Sequence, residues 1–179
     1  LTDWNWVSFG WSTAAAIKQD GTLWWWGRGQ EGTSPLGNTT NYSSPVQVGS
    51  LTDWKYIMLR GESTVIGGGG AIKTDGTLWM WGDNRHGGCW DGTTTLRNSP
   101  VQVGSDTDWS TLLNCRRCPI AVKTNGTMWA AGSNAGGPSM LGDASASNRS
   151  SPTQIGSLTT WNANKVFGTM GDAHSWGIK

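Results

Sequence analysis

Ala71-Ile72-Lys73-Thr74-Asp75-Gly76-Thr77-Leu78-Trp79-Met80-Trp81-Gly82 is the stretch that decides the fold of this chain. Asp75-Gly76 is a tight-hairpin signal, and the runs on either side read as its two strands. The same phrase stands earlier as Ala16-Ile17-Lys18-Gln19-Asp20-Gly21-Thr22, leading into Leu23 to Trp26, and later as Ala121-Val122-Lys123-Thr124-Asn125-Gly126-Thr127, leading into Met128 to Ala131. Side chains alternate across a strand, so Trp24 and Trp26 share one face while Leu23 and Trp25 share the other. Both faces are bulky and apolar. Such a strand belongs between two neighbouring sheets, as in the blades of a propeller or the layers of a solenoid.

Working outward, two more markers keep the same order. An Asp/Thr-Trp step recurs at Trp4, Trp54, Trp109 and Trp161, spaced 50, 55 and 52 residues apart. A closing phrase, Ser-Pro-x-Gln-x-Gly-Ser, begins at Ser44, Ser99 and Ser151. Three markers in register define tandem units of approximately 1–50, 51–105 and 106–157, with a partial fourth at 158–179. Each unit predicts four short strands: the Trp4 to Phe9 type, the two hairpin strands, and the Pro45-Val46-Gln47-Val48 type, where Pro can only begin a strand or lie on its edge. Four strands in about fifty residues make one propeller blade, so the chain reads as all-β. Three blades and a fragment do not close a ring of 4–8 blades. Unpaired sheet edges invite association, so further repeats or self-association are expected at the ends.

Composition agrees. The chain holds 27 Gly and 14 Trp, and only 14% of its residues are charged. Gly serves turn-dense folds, and Trp at this density must be packed between layers or displayed as a binding surface. With 13 Lys+Arg against 12 Asp+Glu and no run of either sign, there is no footprint for nucleic acid or an anionic membrane. No apolar stretch approaches the ~20 residues of a membrane span.

The phrases at Ala71–Gly82 and Ser99-Pro100-Val101-Gln102-Val103-Gly104-Ser105, with the Leu-Gly steps at Leu36-Gly37 and Leu141-Gly142, resemble the RCC1 (regulator of chromosome condensation) repeat family. That resemblance covers essentially the whole chain and implies a β-propeller, seven-bladed in the well-known members. The Asp-Trp-rich spelling looks like the bacterial and phage branch. Departures are visible: Cys89-Trp90 stands where Leu-Gly is expected, Ile66 to Gly70 swell one unit, and Ala131 replaces a Trp.

Candidate sites are few. Nine Trp follow the repeat and are assigned to packing between blades. Trp6, Trp11, Trp25, Trp90 and Trp176 do not, and off-register aromatics are candidates for a surface that stacks on sugars or anchors a protein; Trp11, Trp25, Trp90 and Trp176 are the binding residues expected. His86-x-x-Cys89 with Cys115-x-x-Cys118 has the ligand types and spacing of a zinc site. A Cys115–Cys118 disulfide or plain buried thiols are the alternatives. Gly67 to Gly70 lack the Gly-Lys-Ser/Thr ending of a phosphate loop and read as a bulge or flexible insertion. No nucleophile motif is present, and Asp20 and Asp75 exchange with Asn125, which suits a turn and not acid–base chemistry. The functional expectation is a non-enzymatic binding or scaffolding module of an extracellular structure, such as a phage virion or a bacterial surface. It would bind protein or glycan through loops at Arg28–Tyr42, Asp83–Asn98 and Ser133–Arg149. The alternative implied by the family resemblance is a guanine-nucleotide exchange factor for a small GTPase.

Overall fold

The computed structural model describes residues 3–63, 66–113, 118–134 and 141–161. Among these, twelve strands form three four-stranded antiparallel sheets, each in the order of the chain. The first blade holds β1 (Trp4–Phe9), β2 (Thr13–Lys18), β3 (Leu23–Gly27) and β4 (Tyr42–Gln47). The second holds β5 (Trp54–Ser63), β6 (Ile66–Lys73), β7 (Leu78–Gly82) and β8 (Arg97–Gln102). The third holds β9 (Trp109–Leu113), β10 (Ile120–Lys123), β11 (Met128–Gly132) and β12 (Arg149–Gln154). One 3-10 turn, Gln30–Gly32, is the only helical element described. The sheets do not close a ring among the described residues. Pro45, Pro100 and Pro152 all lie in the fourth strand of a sheet, an edge where a missing N–H costs no ladder bond.

The hairpin turns show why their sequence repeats. Asp20 Oδ1 accepts hydrogen bonds from the Thr22 amide at 2.9 Å and the Thr22 hydroxyl at 2.7 Å, and Thr22 Oγ1 accepts one from Trp24 Nε1 at 2.8 Å. Asp75, Thr77 and Trp79 repeat the chain of bonds. So do Asn125, Thr127 and Trp129, because an amide oxygen accepts as a carboxylate oxygen does. The Gly of each turn is required twice over. Gly21, Gly76 and Gly126 have φ of 79°, 81° and 77°, and a Cβ there would collide with the carbonyl oxygen of Thr52, Thr107 or Thr159 in the following linker. That close approach lets Gly21 O, Gly76 O and Gly126 O accept from the amides of Trp54, Trp109 and Trp161. Each turn is thereby tied to the start of the next unit.

A lysine completes each turn. Lys18 Nζ lies 5.4 Å and 4.8 Å from the ring centroids of Trp4 and Trp24, and pairs with Asp3 at 3.2 Å. Lys73 does the same with Trp54, Trp79 and Asp53, and Lys123 with Trp109, Trp129, Asp108 and Asp106. The two indoles meet edge to face, with centroids 6.2, 6.1 and 6.2 Å apart in the three blades. Burial pulls the Lys123 ammonium pKa down, but its bonds to Asp106 and Asp108 outweigh that and raise it.

Blades stack through apolar faces. Leu23, Trp25, Ala15 and Ile17 of the first blade share one cluster with Ile57, Leu59 and Trp81 of the second. Met58, Leu78 and Met80 of the second share another with Leu112, Trp109 and Ala131 of the third. Hydrogen bonds reinforce the stack: Trp6 Nε1 donates to Ile57 O at 3.1 Å, and Tyr56 Oη, one unit later, donates to Leu112 O at 3.0 Å. The Gly run at 67–70 is not a flexible insertion. It lies within β6, where Gly69 leaves room for the Trp81 ring and Gly70 for the Met80 sulfur. On the other side of the first blade, Val7 and Phe9 are 50% and 66% exposed. They occupy the positions where Ile57 and Leu59 meet the preceding blade.

Candidate functional site

In the second and third blades the long loop between the third and fourth strands is built around a buried asparagine. Asn84 Nδ2 donates to Asp91 Oδ1 at 3.1 Å and to the carbonyls of Thr93 and Thr95, while its Oδ1 accepts from the Cys89 amide at 2.8 Å. Asn134 repeats this with Asp143, Ser145 and Leu141. Arg97 pairs with Asp91 at 2.6 Å and Arg149 with Asp143 at 3.0 Å. Burial raises the pKa of Asp91, but the bonds from Thr93 and Arg97 outweigh it and hold the carboxyl below its ordinary value. The loops of the first and second blades also dock on the next blade, with Gly37 N donating to Asn98 O at 2.7 Å and Gly92 N to Ser150 O at 2.9 Å. These loops form part of the frame. The Asn-to-Asp pairs at 84 and 91 and at 134 and 143 were the sequence signal for that, and the repeat markers did not include them.

Two of the expected binding aromatics are core residues. Trp25, with 0% of its surface exposed, fills the position that Met80 and Ala130 fill in the other blades. Trp90 is 2% exposed and packs on Trp109 with ring centroids 6.0 Å apart. Neither offers a face for stacking from solvent. Trp11, 64% exposed in the turn between β1 and β2, does. Trp176 lies outside the described residues.

The His86, Cys89, Cys115, Cys118 set is not assembled among the described residues. Cys115 lies outside them, and Cys89 and Cys118 belong to different apolar clusters. Burial pushes the Cys89 thiol pKa up, against the pull of the Arg60 guanidinium, whose Nη2 lies 3.5 Å from the sulfur. A cation beside a protonated thiol is a poor start for a metal ligand. His86 lies 3.3 Å through Nδ1 from Asn148 Nδ2. Among the described residues no three His, Cys, Asp or Glu side chains gather as a metal would require.

A concavity does form between the second and third blades. It has a volume of about 470 Å³ and is lined by Trp90, Trp109, Trp129, Gln102, Ser105, Asp106 and their neighbours. Its place coincides with two departures from the repeat. Trp90 has φ of 61° where Gly37 and Gly142 have 76° and 70°, a left-handed conformation that strains a bulky residue. Asp106 stands where the linkers of the other units carry the exposed Leu51 and Leu158. Its carboxylate reaches Lys123 Nζ at 2.6 Å.

No family model matches the chain. Solved structures do resemble it. Over 90% of its length it superposes on the yeast RCC1 protein Prp20, crystallised with Kap60, with a TM-score of 0.69 and 18% identity. Prp20p from Saccharomyces cerevisiae, studied for its binding to Gsp1p and histones, gives 0.70 and 18% over 90%. Human WBSCR16 gives 0.69 and 16% over 86%. The chain spans only 39%, 41% and 38% of those proteins. Three sheets in the chain's own order, stacked face to face, and this likeness lead to one conclusion: the chain is made of RCC1-like β-propeller blades.

Proposed function

We propose that this chain is a non-catalytic binding module in which the propeller frame presents the groove between the second and third blades, with the exposed Trp11 as a separate contact point. The observation that carries the reading is the coincidence of groove and broken repeat. A left-handed Trp costs about 1–3 kcal/mol and persists only where its surroundings enforce it. Here Trp90 is one of the residues that line a concavity of about 470 Å³, within the ~300–1,000 Å³ range of small-ligand sites. Four of the carboxylates have structural partners: Asp20 and Asp75 hold turns, and Asp91 and Asp143 hold loops. Low charge and richness in Trp, Gly and Thr favour an extracellular setting, on a virion or a bacterial surface, with protein or glycan as partner. The open face at Val7 and Phe9 takes a further blade, from more repeats or from a second copy.

The test is a library of small polar and aromatic fragments titrated into the isotope-labelled chain. The expected result is a set of shifts at the Trp109 and Trp129 indole N–H signals and the Asp106 amide. Fragments that bind elsewhere, with these signals unmoved, would contradict the reading.

A second reading draws on the likeness to Prp20, a protein studied for its binding to Gsp1p. An exchange-factor activity would accelerate release of a labelled guanine nucleotide from a small GTPase of that kind. An unchanged release rate at saturating chain concentration would dismiss it.

A further inference from the structure

We propose that the outer face of the first blade pairs with the same face of a second copy, so that the chain forms a closed two-fold dimer. The inference rests on the reading that this open face is filled, and it commits to one occupant. Cross-strand neighbours place Val7, Ala16 and Trp24 in one row of that face, and Phe9, Ala14 and Trp26 in the next. The second blade carries Ile57, Ala71 and Trp79 in the first row, and Leu59, Gly69 and Trp81 in the second. There Ile57, Leu59, Ala71 and Trp81 are buried in one cluster with Ala15, Ile17, Leu23 and Trp25 of the first blade. Val7 and Phe9 hold the places of Ile57 and Leu59 and are exposed. The first blade thus presents to solvent the same kind of face that an established junction buries.

The other end of the stack decides the geometry. On the third blade the corresponding far face has Thr111, Val122 and Met128 in one row, and Leu113, Ile120 and Ala130 in the next. None of these residues is more than 8% exposed. Ile155 and Trp161 pack against that cluster. An end-to-end contact, which would repeat from copy to copy into a filament, needs an open face at both ends of the stack. Among the described residues the far face is already covered. The open face is left to meet its own kind, and an isologous contact closes at two. Self-pairing sets any charge on a face against the same charge, and like charges opposed across a contact repel. The two rows hold no charged side chain, and Lys18 at the end of β2 is paired with Asp3 at 3.2 Å. Exposed apolar surface free of self-repulsion is the chemistry that such a contact requires.

Sedimentation equilibrium of the intact chain over a wide range of concentration tests this, with Phe9→Ser, Val7→Lys and Val7→Glu beside the parent. The three substitutions fall at exposed positions, so each variant should keep the parent's melting temperature when both are measured dilute. The expected result is a monomer–dimer equilibrium with no larger species, weakened about tenfold or more by Phe9→Ser. Val7→Lys and Val7→Glu should each abolish the dimer, and an equal mixture of the two should restore it. That rescue follows because a face that meets itself brings residue 7 of both copies within range of each other's charge. In labelled parent chain, dilution should shift the Val7 and Phe9 amide signals and leave the Trp109 and Trp129 indole signals fixed. Species that keep growing beyond two, or a mixture that fails to restore pairing, would overturn the two-fold contact. A monomer at every concentration would overturn it as well and leave the face to a further blade. Dilution shifts at the groove signals alone would place the contact in the groove and overturn the proposal. The fragment titration is a separate measurement, so the groove reading fails or survives on its own.

Discussion

Lys73, between Trp54 and Trp79 with Asp53 beyond, shows how a single residue holds a turn to its strand. Nothing in the spacing of Lys-x-Asp-Gly-Thr discloses this, because the second indole comes from a strand about twenty residues away. Replacing Lys73 with Met keeps the stem and removes the charge, and should lower stability by about 1–2 kcal/mol, read from denaturant midpoints. Turn carboxylates set the pH response. The Thr22 hydroxyl and amide hold Asp20 below its ordinary pKa, and the Thr77 amide and hydroxyl hold Asp75 there too. A carboxyl whose folded pKa is depressed stabilises above its unfolded value and loses that contribution as pH falls through the folded one. Melting temperature should therefore be level near neutrality and decline below about pH 4. A melting temperature that rose on acidification through that window would contradict these hydrogen bonds. The turn itself was legible from residues; the exchange of Asp for Asn125 at a conserved-geometry position needed only the rule that both offer an acceptor.

Among the elements, β6 carries the sharpest lesson. Four consecutive Gly look like a break in a pattern, yet they run through the centre of a sheet, paired with Met58 to Gly61 on one side and Met80 to Gly82 on the other. Local propensity argues against a strand there, and packing overrides it, because Trp81 and Met80 occupy the volume that side chains would need. Gly69→Ala should cost about 1–3 kcal/mol through overpacking against Trp81 and Leu59, despite the better strand propensity of Ala. A neutral or stabilising effect in denaturant unfolding would show that the strand is not packed as described. Trp25 and Trp90 mislead in the opposite way. Both break the spelling of the repeat, and spelling alone cannot separate a core substitution from a displayed one. Trp25 replaces another apolar core residue, whereas Trp90 reaches the core only by accepting a backbone conformation that the sister units assign to Gly.

For the whole molecule, the period of the repeat, the four strands per unit and the stacking of two-faced sheets were all legible in the sequence. The groove was not. It is created by the meeting of a loop from one unit with a linker and a strand from the next, and no periodicity in one unit contains it. The same geometry predicts the behaviour of the open face. Val7 and Phe9 present to solvent what Ile57 and Leu59 bury. Sedimentation velocity should show association that grows with concentration and is reduced by Phe9→Ser, since burying one such aromatic is worth about 1.5–3 kcal/mol. A single monomeric species for parent and variant alike would sink that expectation.

The stacking of successive blades is reported most directly by nuclear Overhauser contacts in solution. The Trp6 and Tyr56 rings, from adjacent blades, lie with centroids 4.7 Å apart, and Trp90 lies 6.0 Å from Trp109 across the next junction. Cross-peaks between both pairs are the predicted result. Spectra in which each sheet shows strong internal contacts but neither inter-blade pair appears would mean that the units do not stack.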